Sequence, residues 1–147
     1  MAGGPNQRTL NVNSAALNAT NISGGTLTVD AVGMGSVGTL SNIGTITGAL
    51  TISNGTTNNA GAVTGAMTIS DGMLSINTGS NLADGQPFTV NTGVVNVNAA
   101  DTVGTLSGIG GSINFGAGGQ LNVDQAGNAT FAGGVSGATA TDVINFK

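Results

Sequence analysis

The sequence predicts an all-β protein. Within that class it predicts a β-solenoid: short strands joined by Gly, Asn and Asp corners and stacked as successive turns of one rod. Three observations carry this reading. Apolar and polar residues alternate in many four-residue runs, the period of a strand with one buried face. Related runs recur at intervals of about 14 to 17 residues, a self-similarity expected of stacked repeats. The 147 residues include 27 glycines spread along the whole chain, and each would cost a helix interior about 1 kcal/mol relative to Ala. An antiparallel β-sandwich would show the same alternation and is the alternative.

The elements follow in chain order. TLNV (9–12) and TLTV (26–29) are the first two strands. ALTI (49–52) and AMTI (66–69) come next and stand at the same spacing as the first pair. They lie inside GTITGALTISNG (44–55) and GAVTGAMTISDG (61–72), which agree at eight of twelve positions. MLSI (73–76), PFTV (87–90), VVNV (94–97), SINF (112–115), QLNV (120–123) and NATF (128–131) continue the alternation. LSINTG (74–79) returns as FTVNTG (88–93), and the INF of 113–115 returns at 144–146. A single short strand cannot bury its apolar face alone, whereas stacked turns bring like side chains about 4.8 Å apart. The expected ladders are Ile52 over Ile69, and a column of Phe115, Phe131 and Phe146. At about 14 to 17 residues a turn, the chain makes roughly seven to nine turns and a rod of about 35 to 45 Å. The sandwich alternative rests on Asp71-Gly72, a two-residue turn that would fold Met73–Ile76 back on Met67–Ile69.

Residues 1–8 are expected to be a flexible tail and 9–147 one β-repeat domain. Charged residues make up only 5% of the chain. With two cations and a net charge of −4, the chain lacks the clustered Lys and Arg that neutralise nucleic-acid phosphates. It has no run of about 20 apolar residues to span a membrane. The N-terminal MAGGPNQRTL has neither the basic region nor the apolar stretch of a signal peptide. A mature form, a piece of a longer protein, or export by a route without such a signal would each fit.

The inventory argues against an enzyme. His, Cys, Glu, Tyr and Trp are absent, which removes the usual general base, the thiol nucleophile and the common zinc ligands. The six Asp are Asp30, Asp71, Asp84, Asp101, Asp124 and Asp142. A pair meeting across turns would resemble the carboxylates of a glycosidase, but solvated corners are the expected place for each. Calcium-binding GGxGxD loops are missing, so neither metal nor cofactor is expected. GIGGS (108–112) and GAGGQ (116–120) lack the Lys-Ser/Thr of a phosphate loop and are read as corners. Glycans on a host or other surface are the one external partner class considered, although four Phe without Trp or Tyr make a poor platform for sugar rings.

The Gly-Thr-Leu-Thr-Val strands, the Asn-Gly turns, the scarcity of charge and the absence of Cys resemble bacterial surface proteins. The likeness is to the β-helical passenger regions of autotransporters and to filamentous haemagglutinin-like adhesins, over about Thr9 to Phe146. GNATFAGGVSGATATDVINFK (127–147) is similar to phage tail-fibre segments. The resemblance implies an extracellular or cell-surface location and an adhesive or structural role. It carries no catalytic motif.

A solenoid exposes unpaired backbone groups on its first and last turns, and natural solenoids commonly cap them. No cap is evident at either end. The expected function is a structural subunit that joins head to tail into a surface fibre, with Arg8, Leu10 and Val12 of one copy meeting Asp142, Ile144 and Phe146 of the next. A stalk of an adhesin or a phage-fibre shaft is the alternative. A carbohydrate-active enzyme on a β-helix is a distant third.

Overall fold

The computed structural model describes residues 16–29, 39–78, 80–137 and 143–147, with strands and turns but no helix among them. β1 (Ala16–Val29) and β2 (Thr39–Ile52) are long. After them each turn of the chain is written in short strands. β3 (Thr56–Asn59), β4 (Ala62–Val63) and β5 (Met67–Ile69) make one turn. β6 (Met73–Ile76), β7 (Asn81–Leu82) and β8 (Phe88–Val90) make the next. β9 (Val94–Val97), β10 (Ala100–Val103) and β11 (Leu106–Ser107) follow. β12 (Ser112–Phe115) and β13 (Gln120–Val123) then lead to a bridge between Phe131 and Gly108. β14 (Gly134–Gly137) and β15 (Val143–Phe146) close the described chain.

Every pairing among the described residues is parallel, which identifies a β-solenoid with three faces. The first face stacks the start of β2 with β3, β6, β9, β12 and β14. The second carries the middle of β2, then β4 and β7, with β10, β13 and β15 as a separate ladder. The third carries the end of β2, then β5, β8 and β11. β2 pairs with β3, β4 and β5 in succession, so it passes around all three faces, as does β1 beside it.

Ile52 lies beside Ile69 in register, as the sequence repeat predicts. The hairpin alternative fails at the residues that suggested it. Met73 pairs with Thr56 and Val94 on neighbouring turns and does not fold back on β5. Asp71-Gly72 instead turns a corner between faces. Gly72 has φ +82°, a backbone that L side chains disfavour, and its carbonyl accepts from Val94 N–H on the next turn at 2.8 Å.

The turn length differs from the expectation. The shortest register step is shared by Leu40 to Thr57, Ile52 to Ile69 and Thr57 to Leu74, and other partners stand as far apart in sequence as Ile22 and Ile46. The described residues therefore make fewer turns than the expected seven to nine. Six strand spacings separate β1 from β14, about 29 Å in all. The phenylalanine column is also overturned. Phe115 pairs with Val97 and Gly137 on the first face, Phe146 with Val123 on the second, and Phe131 sits opposite Gly108 on the third. Likewise Leu74 stacks on Val95 while Phe88 stacks on Met67, so the likeness of LSINTG to FTVNTG is not a stacking register. Both motifs recur because the inward pattern is common to all faces.

The core is a bundle of columns along the rod. Leu50, Met67, Phe88 and Leu106 form one, and Ile52, Ile69 and Val90 another, all nearly or fully buried. Burying side chains of this size contributes about 1.5–3 kcal/mol each, and the constant spacing between paired strands sets like side chains directly on one another.

Candidate assembly interface

The columns do not end in polar residues at the C-terminal end. Val135 of β14 is 54% exposed and Phe146 of β15 is 63% exposed, although both occupy register positions that are buried in earlier turns. Val135 follows Ile113, and Phe146 follows Val123, each 0% exposed. Phe131 and Ile144 are only partly buried against the core. Between them opens an apolar hollow of about 630 Å³, lined mainly by Leu106, Phe131, Val135, Ile144 and Phe146, with Gln125 and Asn128 at its polar edge.

Backbone groups are uncovered there too. Lys147 N–H donates to the Val123 carbonyl at 3.0 Å. Because N–H groups alternate along a strand, those of Ile144 and Phe146 are directed to the open side of β15. Gly134 N–H donates to Gly111 at 3.0 Å, which leaves the Val135 N–H on the open side of β14 in the same way. A strand edge of this kind is a template for another chain.

Of the residues the sequence placed at the interface, Ile144 and Phe146 are at this end of the rod. Arg8, Leu10, Val12 and Asp142 lie outside the described residues, and so does the expected pairing of Arg8 with Asp142. Lys147 approaches Asp124 at 4.0 Å, with both side chains well exposed, a geometry worth about 0–1 kcal/mol. Sequence reasoning missed Leu106, Gln125, Asn128 and Val135 as lining residues. The expected NATF strand does not form: 128–130 are irregular and only Phe131 makes a bridge. Its four-residue alternation could not show that the turn loosens there.

A second feature lies inside the rod. Asn42 Nδ2 donates to Asn59 Oδ1 at 2.7 Å, and Asn59 Nδ2 donates to Ser80 Oγ at 2.7 Å. The Ser80 hydroxyl in turn donates to the Asp101 carboxylate, which also accepts the Leu82 N–H at 3.2 Å and the Thr102 N–H at 2.8 Å. Four successive turns are thus joined by one chain of hydrogen bonds. Asp101 corrects the expectation that every Asp is solvated: it is buried, while Asp71 and Asp84 are exposed corner residues. Burial pushes the Asp101 carboxyl above its ordinary value, opposed by the three hydrogen bonds and reinforced by nearby Asp84. No three of the described Asp residues come together as a metal-binding group.

The fold defines the class of this protein as a parallel β-solenoid. Comparison of the chain with family models, curated proteins and solved structures gives no match.

Proposed function

We propose that this chain is a non-enzymatic structural protein of the cell exterior, a subunit that lengthens a surface fibre by stacking head to tail. The observation that carries this reading is the set of apolar columns that run through the rod and emerge uncovered at Val135 and Phe146, beside the half-buried Ile144. Stacking another turn there would continue the interface that already joins each turn to the next. At the other end Leu17, Ile22, Leu27 and Val29 of β1 stand in register with Leu40, Ile46, Leu50 and Ile52, so the apolar sequence pattern of the columns reaches β1. A head-to-tail contact that does not close into a ring builds a filament. The absence of His, Cys, Glu, Tyr and Trp from the sequence supports a structural role over a catalytic one. The scarcity of charge and the Gly/Asn/Thr style of the strands, shared with bacterial surface proteins, support the location.

Electron microscopy and sedimentation test the proposal. The purified chain is expected to form unbranched rods that lengthen with concentration. Ile144→Pro removes an N–H directed to the open edge while leaving the pairing of β15 with β13 largely intact, so it should shorten or abolish them. A wild-type chain that stays monomeric at high concentration would sink the fibre and favour a shaft that carries another domain.

A further inference from the structure

Asn54-Gly55 is the one Asn-Gly pair in the sequence. It forms a corner between the third face and the first: β2 ends at Ile52 and β3 begins at Thr56. Asn54 is exposed there, and the Gly55 N–H donates to Asn54 Oδ1 at 2.8 Å. The corner thereby holds a backbone nitrogen against the side-chain carbonyl of the residue before it. Gly55 has φ +98°, and without a Cβ it does not crowd the approach to its own nitrogen. The following turn repeats this corner, with Ile69 paired to Ile52 and Met73 to Thr56. There the Gly72 N–H donates to Asp71 Oδ1, again at 2.8 Å. Aspartate thus stands in the geometry that asparagine holds at position 54.

We propose that Asn54 is a site of spontaneous deamidation, which converts it to the residue already present at its counterpart, Asp71. Hydroxide takes the Gly55 N–H proton, and the freed nitrogen attacks Asn54 Cγ. A bond from the Gly55 nitrogen to Cγ forms, the bond from Cγ to Nδ2 breaks, and Nδ2 leaves as ammonia with a proton from water. Hydroxide then adds to Cγ of the cyclic imide. The Cγ bond to the Gly55 nitrogen breaks, that nitrogen regains its proton, and a carboxylate remains on residue 54. Nothing is oxidised or reduced. Holding the nucleophile beside its target removes much of the entropic part of the barrier.

The product adds one negative charge to a formal net charge of −4. Positions 54 and 71 lie on neighbouring turns, with a backbone spacing of about 4.8 Å. Asp71 is exposed, so water screens the two carboxylates and the fold tolerates the pair. Opening the imide at the Asn54 backbone carbonyl would instead route the main chain through the side chain and lengthen the corner. The stacking of Gly72 leaves little room for that, since a Cβ built on it would stand 2.8 Å from the Gly55 nitrogen and 3.0 Å from the Asn54 carbonyl carbon. The corner therefore favours aspartate over isoaspartate. The change takes place within one molecule and is independent of the head-to-tail reading.

The test is to hold the folded chain at mildly alkaline pH and follow the mass and charge of its proteolytic fragments. Asn54 should deamidate at least about tenfold faster than Asn91, which lies at the corresponding corner between β8 and β9 but precedes Thr92. The folded chain should react at Asn54 no more than about threefold slower than the chain unfolded in urea at the same pH, because the corner already holds the reacting groups together. Asn54→Gln, whose imide needs a larger ring, should abolish the reaction at this position. Asn54→Asp should melt with the wild-type protein. A rate no greater than that of Asn91, or a folded chain slowed beyond the stated margin, would overturn the assignment of the site. An Asn54→Asp chain that melts well below the wild type, or isoaspartate in excess over aspartate, would overturn the acceptance of the product by the fold.

Discussion

Two glycines at corners of the rod, Gly72 and Gly85, make a controlled comparison. Both have positive φ, +82° and +75°, so replacing either with Ala forces an L residue into the left-handed region, at about 1–2 kcal/mol. Stiffening the unfolded chain returns about 0.4–1 kcal/mol of that. The surroundings differ. A Cβ on Gly85 would meet nothing within 4 Å, whereas one on Gly72 would press on the Gly55 carbonyl oxygen of the preceding turn and stand 2.8 Å from the Gly55 nitrogen. Backbone cannot rotate aside as a side chain can, so the turns must separate locally, an overpacking cost of about 1–3 kcal/mol. Gly85→Ala should therefore cost about 1 kcal/mol and Gly72→Ala about 2–4 kcal/mol. Urea denaturation followed by circular dichroism measures both, and the difference corresponds to about 2–10 °C in melting temperature for a chain of this size. Equal losses at the two sites would show that corner glycines serve only their own φ, and would refute close stacking of turns as the reason for the glycine at position 72.

Three further outcomes follow from the interior. Thr57 is fully buried in the column between Leu40 and Leu74, and its hydroxyl has no hydrogen-bond partner. Thr57→Val should raise stability by about 1 kcal/mol in thermal melts, since it removes an unsatisfied polar group at nearly constant volume. Asn59→Ala should cost about 1–3 kcal/mol, because Asn42 and Ser80 each lose a buried partner. At Asp101 the folded state holds its proton more tightly than the unfolded chain, whose value is near 3.8. The stability this confers is full below that value and is lost as pH rises through the higher folded value. Asp101→Asn should remove it: the wild-type melting temperature, relative to the variant's, rises as pH is lowered from about 7 to about 4. A pH-independent difference between the two would contradict this account of Asp101.

The legible parts of the fold were those with a local signature. Period-two alternation located β5, β6, β8, β9, β12 and β13 to within a residue or two. β4, β7 and β11 have two residues each, too few to show any period. β14, Gly-Val-Ser-Gly, is a strand with hardly a strand former in it and is held by its ladder to β12. The apolar hollow at the end of the rod was legible in part. Ile144 and Phe146 could be named because their motif is repeated, but the hollow beside them depends on where Leu106, Phe131 and Val135 end up, three residues that nothing in sequence connects.

The sequence by itself determined the class: glycine at corners, alternating apolar residues and a repeat that only stacking can bury. It also determined the one register written twice at the same spacing, Ile52 on Ile69. The tertiary structure decided how long each turn is, which face each strand occupies, and which Asp goes inside. The reason is physical. All three faces ask for the same inward pattern, so a local motif such as Ile-Asn-Phe fits any of them. Only the length of the corner before it decides which one it joins. Corners tolerate insertions at small free-energy cost. The turn length therefore drifts, from the short step between Leu40 and Thr57 to the longer one between Ile22 and Ile46, while the strands still look alike. Asp101 is inside because Ser80, Leu82 and Thr102 surround it with donors, a set assembled by two neighbouring turns and visible only once they are stacked.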